Sequence, residues 1–105
     1  MKIVASIQAR MGSSRLPGKV LKDIFGRPML LWLVERGKRS RLLDDVIVAT
    51  TTSEKDDKIE AFCEQYSIVC YRGSEDDVLN RIASLIRHHQ IDVHVEIYGD
   101  SPLTD

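Results

Sequence analysis

The chain has 105 residues, 43% of them hydrophobic, with only six glycines and three prolines; this allows one ordinary hydrophobic core and excludes a disordered or fibrous chain. Its formal net charge of −1 conceals two unlike parts, since residues 1–41 carry ten Lys/Arg against two Asp/Glu and residues 42–105 carry five against fourteen. No apolar run approaches the roughly 20 residues of a membrane-spanning helix, the start is too short in apolar residues for a signal peptide, and Cys63 and Cys70 share no metal-ligand or redox spacing, so the expectation is a cytoplasmic protein that does not engage a membrane.

Ile3, Val4, Ala5 and Ile7 form a short run rich in β-branched residues, the pattern of a strand buried on both faces of a parallel sheet. The stretch VLKDIFGRP then reads as a brief extended excursion turning at Gly26, and Pro28 is placed to be the first residue of a helix. That helix carries Met29, Leu30 and Leu33 on one face, with Trp32 on its flank, and runs to about Ser40. Val46 to Ala49 is a second buried strand, and Ser53 followed by Asp56 reads as a capping box for a helix with Ile59, Phe62, Cys63 and Tyr66 inside. A third strand follows at Ile68 to Tyr71. Ser74 with Asp77 repeats the cap pattern before Val78, Leu79, Ile82, Leu85 and Ile86, and Val93 to Tyr98 is the fourth strand.

Strands alternating with helices predict the α/β class and a single domain over residues 1–105, built as a Rossmann-like parallel sheet covered by helices. Such sheets order their first strands 3-2-1-4 and bind ligands at the carboxyl ends, where the order reverses between strands one and four. The rule brings the segment after Gln8 beside YGDSPLTD.

That segment, QARMGSSRLPGK, contains Arg10, Arg15 and Lys19 and no acidic residue. It is not a P-loop, because five residues separate Gly12 from Gly18 and Val20 follows Lys19; a G-x-G-x-x-G fingerprint is also absent. Gly12 and Gly18 permit unusual backbone angles, Ser13 and Ser14 donate hydroxyl and amide hydrogens, and two guanidinium forks plus an ammonium suit a triphosphate. A solvated turn with ordinary surface cations is the competing reading. Nucleic acid is not expected, since the basic part lacks interleaved aromatics and the acidic part would repel a polyanion.

Asp100, next to Gly99 after the fourth strand, has the chemistry of a Mg²⁺ ligand facing nucleotide phosphates, or equally of a polar cap on the loop that follows. Adjacent His88 and His89 are expected to point apart on a helix, and His94 alternates with valines on a strand, so all three read as structural or surface residues. The run EKDDK reads as a solvated helix start, and Ser74 and Asp77 as capping groups.

The stretches QARMGSSRLPGKVL, FGRPML, VIVATT, YRGSEDDVLNR and GDSPL occur in the order found in the cytidylyltransferases of sugar biosynthesis. The chain resembles the spore-coat-polysaccharide type, related to the acylneuraminate and 3-deoxy-manno-octulosonate cytidylyltransferases. The resemblance implies the amino-terminal half of a nucleotide-diphospho-sugar transferase fold, and transfer of CMP from CTP to a sugar or sugar-acid hydroxyl with Mg²⁺ and release of pyrophosphate. It allows a homodimer. Carried over by position, it makes Arg10, Ser14, Arg15 and Lys19 the triphosphate cradle, with Arg10, Arg15 and Lys19 acting on the leaving phosphates. Ala9 would contribute nucleotide contacts, Arg72 and Arg81 would lie near the base, and Asp100 would hold the metal. Glu96 and His94 depart from the residues common in relatives, which bears on the base or sugar side of the pocket. Family domains run to about twice this length, so the 105-residue form is expected to be incomplete and poorly active. A non-catalytic nucleotide module, or a transferase using another nucleoside triphosphate, is the alternative.

Overall fold

The computed structural model describes residues 1–12 and 18–98. Four parallel strands, β1 (Ile3–Gln8), β4 (Asp45–Thr51), β5 (Cys70–Gly73) and β6 (Val93–Tyr98), form one sheet in the order β5-β4-β1-β6. This is the predicted 3-2-1-4 arrangement, with its reversal point between β1 and β6. Helices α1 (Met29–Lys38) and α2 (Asp57–Gln65) cover one face, where Ile7, Val46 and Val48 meet Met29, Leu30, Leu33, Val34, Ile59 and Phe62. Helix α3 (Val78–His88) covers the other, where Leu85 and Ile91 meet Val4, Ile47 and Ala49. Central strands β1 and β4 are buried on both sides, which is why their sequences read as unbroken apolar runs rather than alternating ones.

Element limits shift where hydrogen bonding overrides local pattern. The third strand begins later than expected and extends to Gly73, because the amide of Thr52 still donates to the Gly73 carbonyl at 3.1 Å. Pro28 lies just outside α1: with ψ 139° it stays extended and closes a hairpin of β2 (Asp23–Ile24) and β3 (Arg27–Pro28). Phe25 (φ 52°) and Gly26 (φ 83°) form that hairpin's two-residue turn, with the left-handed backbone that a right-twisted ribbon requires. The Trp32 indole N–H donates to the Ile24 carbonyl at 2.7 Å and pins the hairpin onto α1.

Of the two expected capping patterns, the second holds through Asp77, whose Oδ1 accepts the amide of Asn80 at 2.9 Å while its own amide donates to Ser74 Oγ at 3.1 Å. The first is corrected. Ser53 caps a single 3-10 turn, Glu54–Asp56, and the Asp56 carboxylate turns inward instead of returning to the Ser53 amide. The histidine expectation is corrected too: His89 lies beyond the last residue of α3, and its ring sits 4.8 Å from that of His88, with Tyr71 against both. Cys63 of α2 and Cys70 of β5 are free thiols in mutual contact; that contact and burial push the Cys63 thiol up.

Gly37 sets the closest approach of α1 to the sheet, since a Cβ there would come within 2.9 Å of Val46 Cγ2. Gly37→Ala would gain about 1 kcal/mol of helix propensity but overpack a filled core at a cost of about 1–3 kcal/mol. The expected result is a lower urea midpoint at unchanged slope; a raised midpoint would show that α1 can move away from β4 freely.

Candidate functional site

The carboxyl ends of β1 and β6 pair directly, Gln8 with Tyr98, so the segments leaving them start side by side. Arg10 is exposed at the end of β1. Beneath it, Ala9 is buried and its amide donates to the Ala49 carbonyl at 3.0 Å, extending the β1–β4 ladder by one residue. The amide of Met11 donates to Asp56 Oδ1 at 2.7 Å, and the Met11 carbonyl accepts the amide of Gly18 at 3.0 Å. The chain therefore leaves Met11 and comes back to it. Gly18 needs its freedom, at φ +77°, whereas Gly12 has no left-handed φ, contrary to expectation. Lys19 opens a 3-10 turn, Lys19–Leu21, that follows directly. Ser14, Arg15 and Asp100 lie outside the described residues.

Arg81 comes from α3 and is 5% exposed. Its Nη1 donates to the Ser74 carbonyl at 2.7 Å and its Nε to Gln8 Oε1 at 3.3 Å. Gln8 in turn donates through Nε2 to Ser6 Oγ at 3.0 Å, and Ser6 Oγ shares a 2.6 Å hydrogen bond with His94 Nε2. A polar chain thus runs from β6 across β1 to α3 on the α3 side of the sheet. Burial first, and then the charge of Arg10, holds the Arg81 guanidinium below its ordinary range, while Asp56 and Glu96 oppose that shift. Arg10 and Arg81, 71 positions apart in sequence, are thereby brought into one electrostatic neighbourhood. Gly73 permits this packing, for a Cβ on it would fall 2.8 Å from Arg81 Cγ.

Arg72 is held apart from that pair. Its Nε donates to the Thr51 carbonyl at 2.7 Å and its Nη2 to the Ser53 carbonyl at 2.8 Å, while Nη1 lies 2.9 Å from Asp57 and 3.2 Å from Glu60. Those contacts tie β5 to the β4–α2 connection and to α2. Each nitrogen of the fork has a partner, and Arg81 is likewise held, by Ser74 and Gln8. Among the described residues no group of three or more His, Cys, Asp or Glu could hold a metal ion, and none of the helices is long and apolar enough to cross a membrane.

Sequence reasoning gave Asp56 only a capping role in the charged run EKDDK, yet it is 2% exposed. Its partners belong to other elements, so no local signal marks it.

A cytidylyltransferase family model matches residues 4–105. The spore coat polysaccharide biosynthesis protein SpsF of Bacillus subtilis is 39% identical over 98% of this chain and 45% of its own length. Among solved structures, a cytidylyltransferase from Leptospira borgpetersenii superposes with a TM-score of 0.91 at 38% identity, over 100% of this chain and 44% of that one. CMP:2-keto-3-deoxy-manno-octonic acid synthetase complexed with CTP superposes with a TM-score of 0.80 at 31% identity, over 99% of this chain and 42% of that one. The chain spans less than half the length of these relatives.

Proposed function

The chain belongs to the cytidylyltransferase family, and from that premise we propose that it binds CTP across the carboxyl ends of β1 and β6, in a protein that transfers CMP to a sugar or sugar-acid hydroxyl for surface polysaccharide or glycoconjugate biosynthesis. The observation that carries the reading is the reversal of strand order between β1 and β6, with Arg10 exposed just past the end of β1 and Arg81 held against Gln8, the last residue of that strand.

In the reaction the acceptor oxygen forms a bond to the α-phosphorus as its proton is given up. The bond from that phosphorus to the bridging oxygen breaks, and its electron pair leaves with pyrophosphate. Arg10, Arg15 and Lys19 would supply cations where charge accumulates on the departing phosphates. Arg81, kept in place by Gln8 and Ser74, and Arg72 are the residues proposed for the base side.

Asp100, together with the ligand's own phosphate oxygens, is the donor set proposed for a metal; hard oxygen donors of this kind suit Mg²⁺. When bound there, Mg²⁺ would neutralise phosphate charge. A cytoplasmic activity, in a protein that could be a homodimer, completes the proposal.

Equilibrium titration of the protein with CTP, UTP, GTP and ATP in Mg²⁺, followed by pyrophosphate release with a panel of sugar acids, tests the reading. CTP is expected to bind most tightly and to be the nucleotide consumed. Preference for another nucleotide would reassign the base, and binding without turnover on any acceptor would favour a non-catalytic module.

A further inference from the structure

A carboxylate at a helix start is ordinarily a solvated group, and Glu54, Lys55, Asp57 and Lys58 around Asp56 are all exposed. Asp56 is buried among them, a costly arrangement unless both oxygens are satisfied. They are: Oδ1 accepts the amide of Met11 at 2.7 Å, and Oδ2 accepts the hydroxyl of Thr51. The Thr51 hydroxyl oxygen accepts the Ser53 amide at 3.1 Å, so the β4–α2 connection is locked before it reaches the carboxylate. Thr51 is the last residue of β4 and Met11 lies three residues past β1, so one side chain joins the end of β4 to the segment leaving β1. Met11 is also where Gly18 returns. The same negative charge offsets, at Arg81, part of the repulsion from Arg10.

We infer that Asp56 is a positioning residue for triphosphate binding: by holding the Met11 amide it fixes the residue from which the cationic stretch departs and to whose carbonyl the Gly18 amide returns. The inference rests on the nucleotide reading above and assigns Asp56 no contact with the ligand. It acts through backbone.

Three variants separate this role from bulk stability. Asp56→Ala removes both acceptors, Asp56→Asn keeps an oxygen for the Met11 amide, and Thr51→Val withdraws only the hydroxyl. Each would be titrated with CTP and with inorganic triphosphate in Mg²⁺, below the melting temperature of the weakest variant, with hydrogen exchange read at the amides of Met11 and Gly18. Asp56→Ala is expected to raise the dissociation constant of both ligands by about tenfold or more, as loss of a fixed binding geometry does. It should also speed exchange at Met11, and Asp56→Asn should recover most of both effects.

An Asp56→Ala protein that melts lower but binds both ligands as before would overturn the inference and leave the nucleotide reading standing. Unsubstituted protein that binds neither ligand would overturn that reading and this inference with it. Should Asp56→Ala fail to fold, Thr51→Val decides: raised dissociation constants with faster Met11 exchange support the role, and unchanged constants overturn it.

Discussion

On the proposed function, Asp100→Asn is expected to slow CMP transfer, in a form of the protein that shows it, by a factor of about a hundred or more, equivalent to about 2.7 kcal/mol of lost transition-state stabilisation, while the melting temperature without ligand stays nearly constant. In sequence Asp100 is two positions past Tyr98, the last residue of β6, the strand whose pairing with β1 defines the crevice. Asn preserves the shape of the side chain and removes its charge, so a loss of rate at constant stability isolates electrostatics from folding. If the role is in metal binding, the variant should need more Mg²⁺ to reach its own half-maximal rate. A variant that melts much lower, yet turns over normally at saturating Mg²⁺ in its folded fraction, would make Asp100 a loop cap and move the metal site elsewhere.

Arg15→Ala is expected to weaken CTP binding by about 1.5–3 kcal/mol, the range for hydrogen bonds to charged partners. That corresponds to a dissociation constant raised by about tenfold to 150-fold. Arg15 stands between Met11 and Gly18, the two residues whose backbone hydrogen bond closes the loop at its base. Arg15→Lys is the informative companion: it keeps the charge but loses the planar two-donor fork, and should recover only part of the affinity. Titration calorimetry reads both. An unchanged dissociation constant for Arg15→Ala would remove this residue from the site and leave Arg10 and Lys19 as the loop's phosphate contacts.

Much of the architecture was legible before any coordinates. The runs at Ile3 to Ile7 and Val46 to Ala49 can be stable only when buried on both sides, and that requirement implies parallel strands, crossover helices and the order found here. The loop's glycines, cations and lack of acids were equally visible, and so was the motif order that matches the family. These features are local: side-chain periodicity and turn chemistry are written in consecutive residues.

What only the tertiary structure decided is the fate of the polar side chains. Asp56 reads in sequence as a cap partner of Ser53 in a solvated run, because its actual partners, Thr51 at the end of β4 and Met11 beyond β1, lie five and 45 residues away. Arg72 and Arg81, nine residues apart, look interchangeable in sequence, yet one is consumed in tying β5 to α2 and the other is buried against Gln8 within the field of Arg10. Burial of a charge is stable only where donors and acceptors from separate elements converge on it. That convergence is set by strand register and helix packing, which no single stretch of the chain contains.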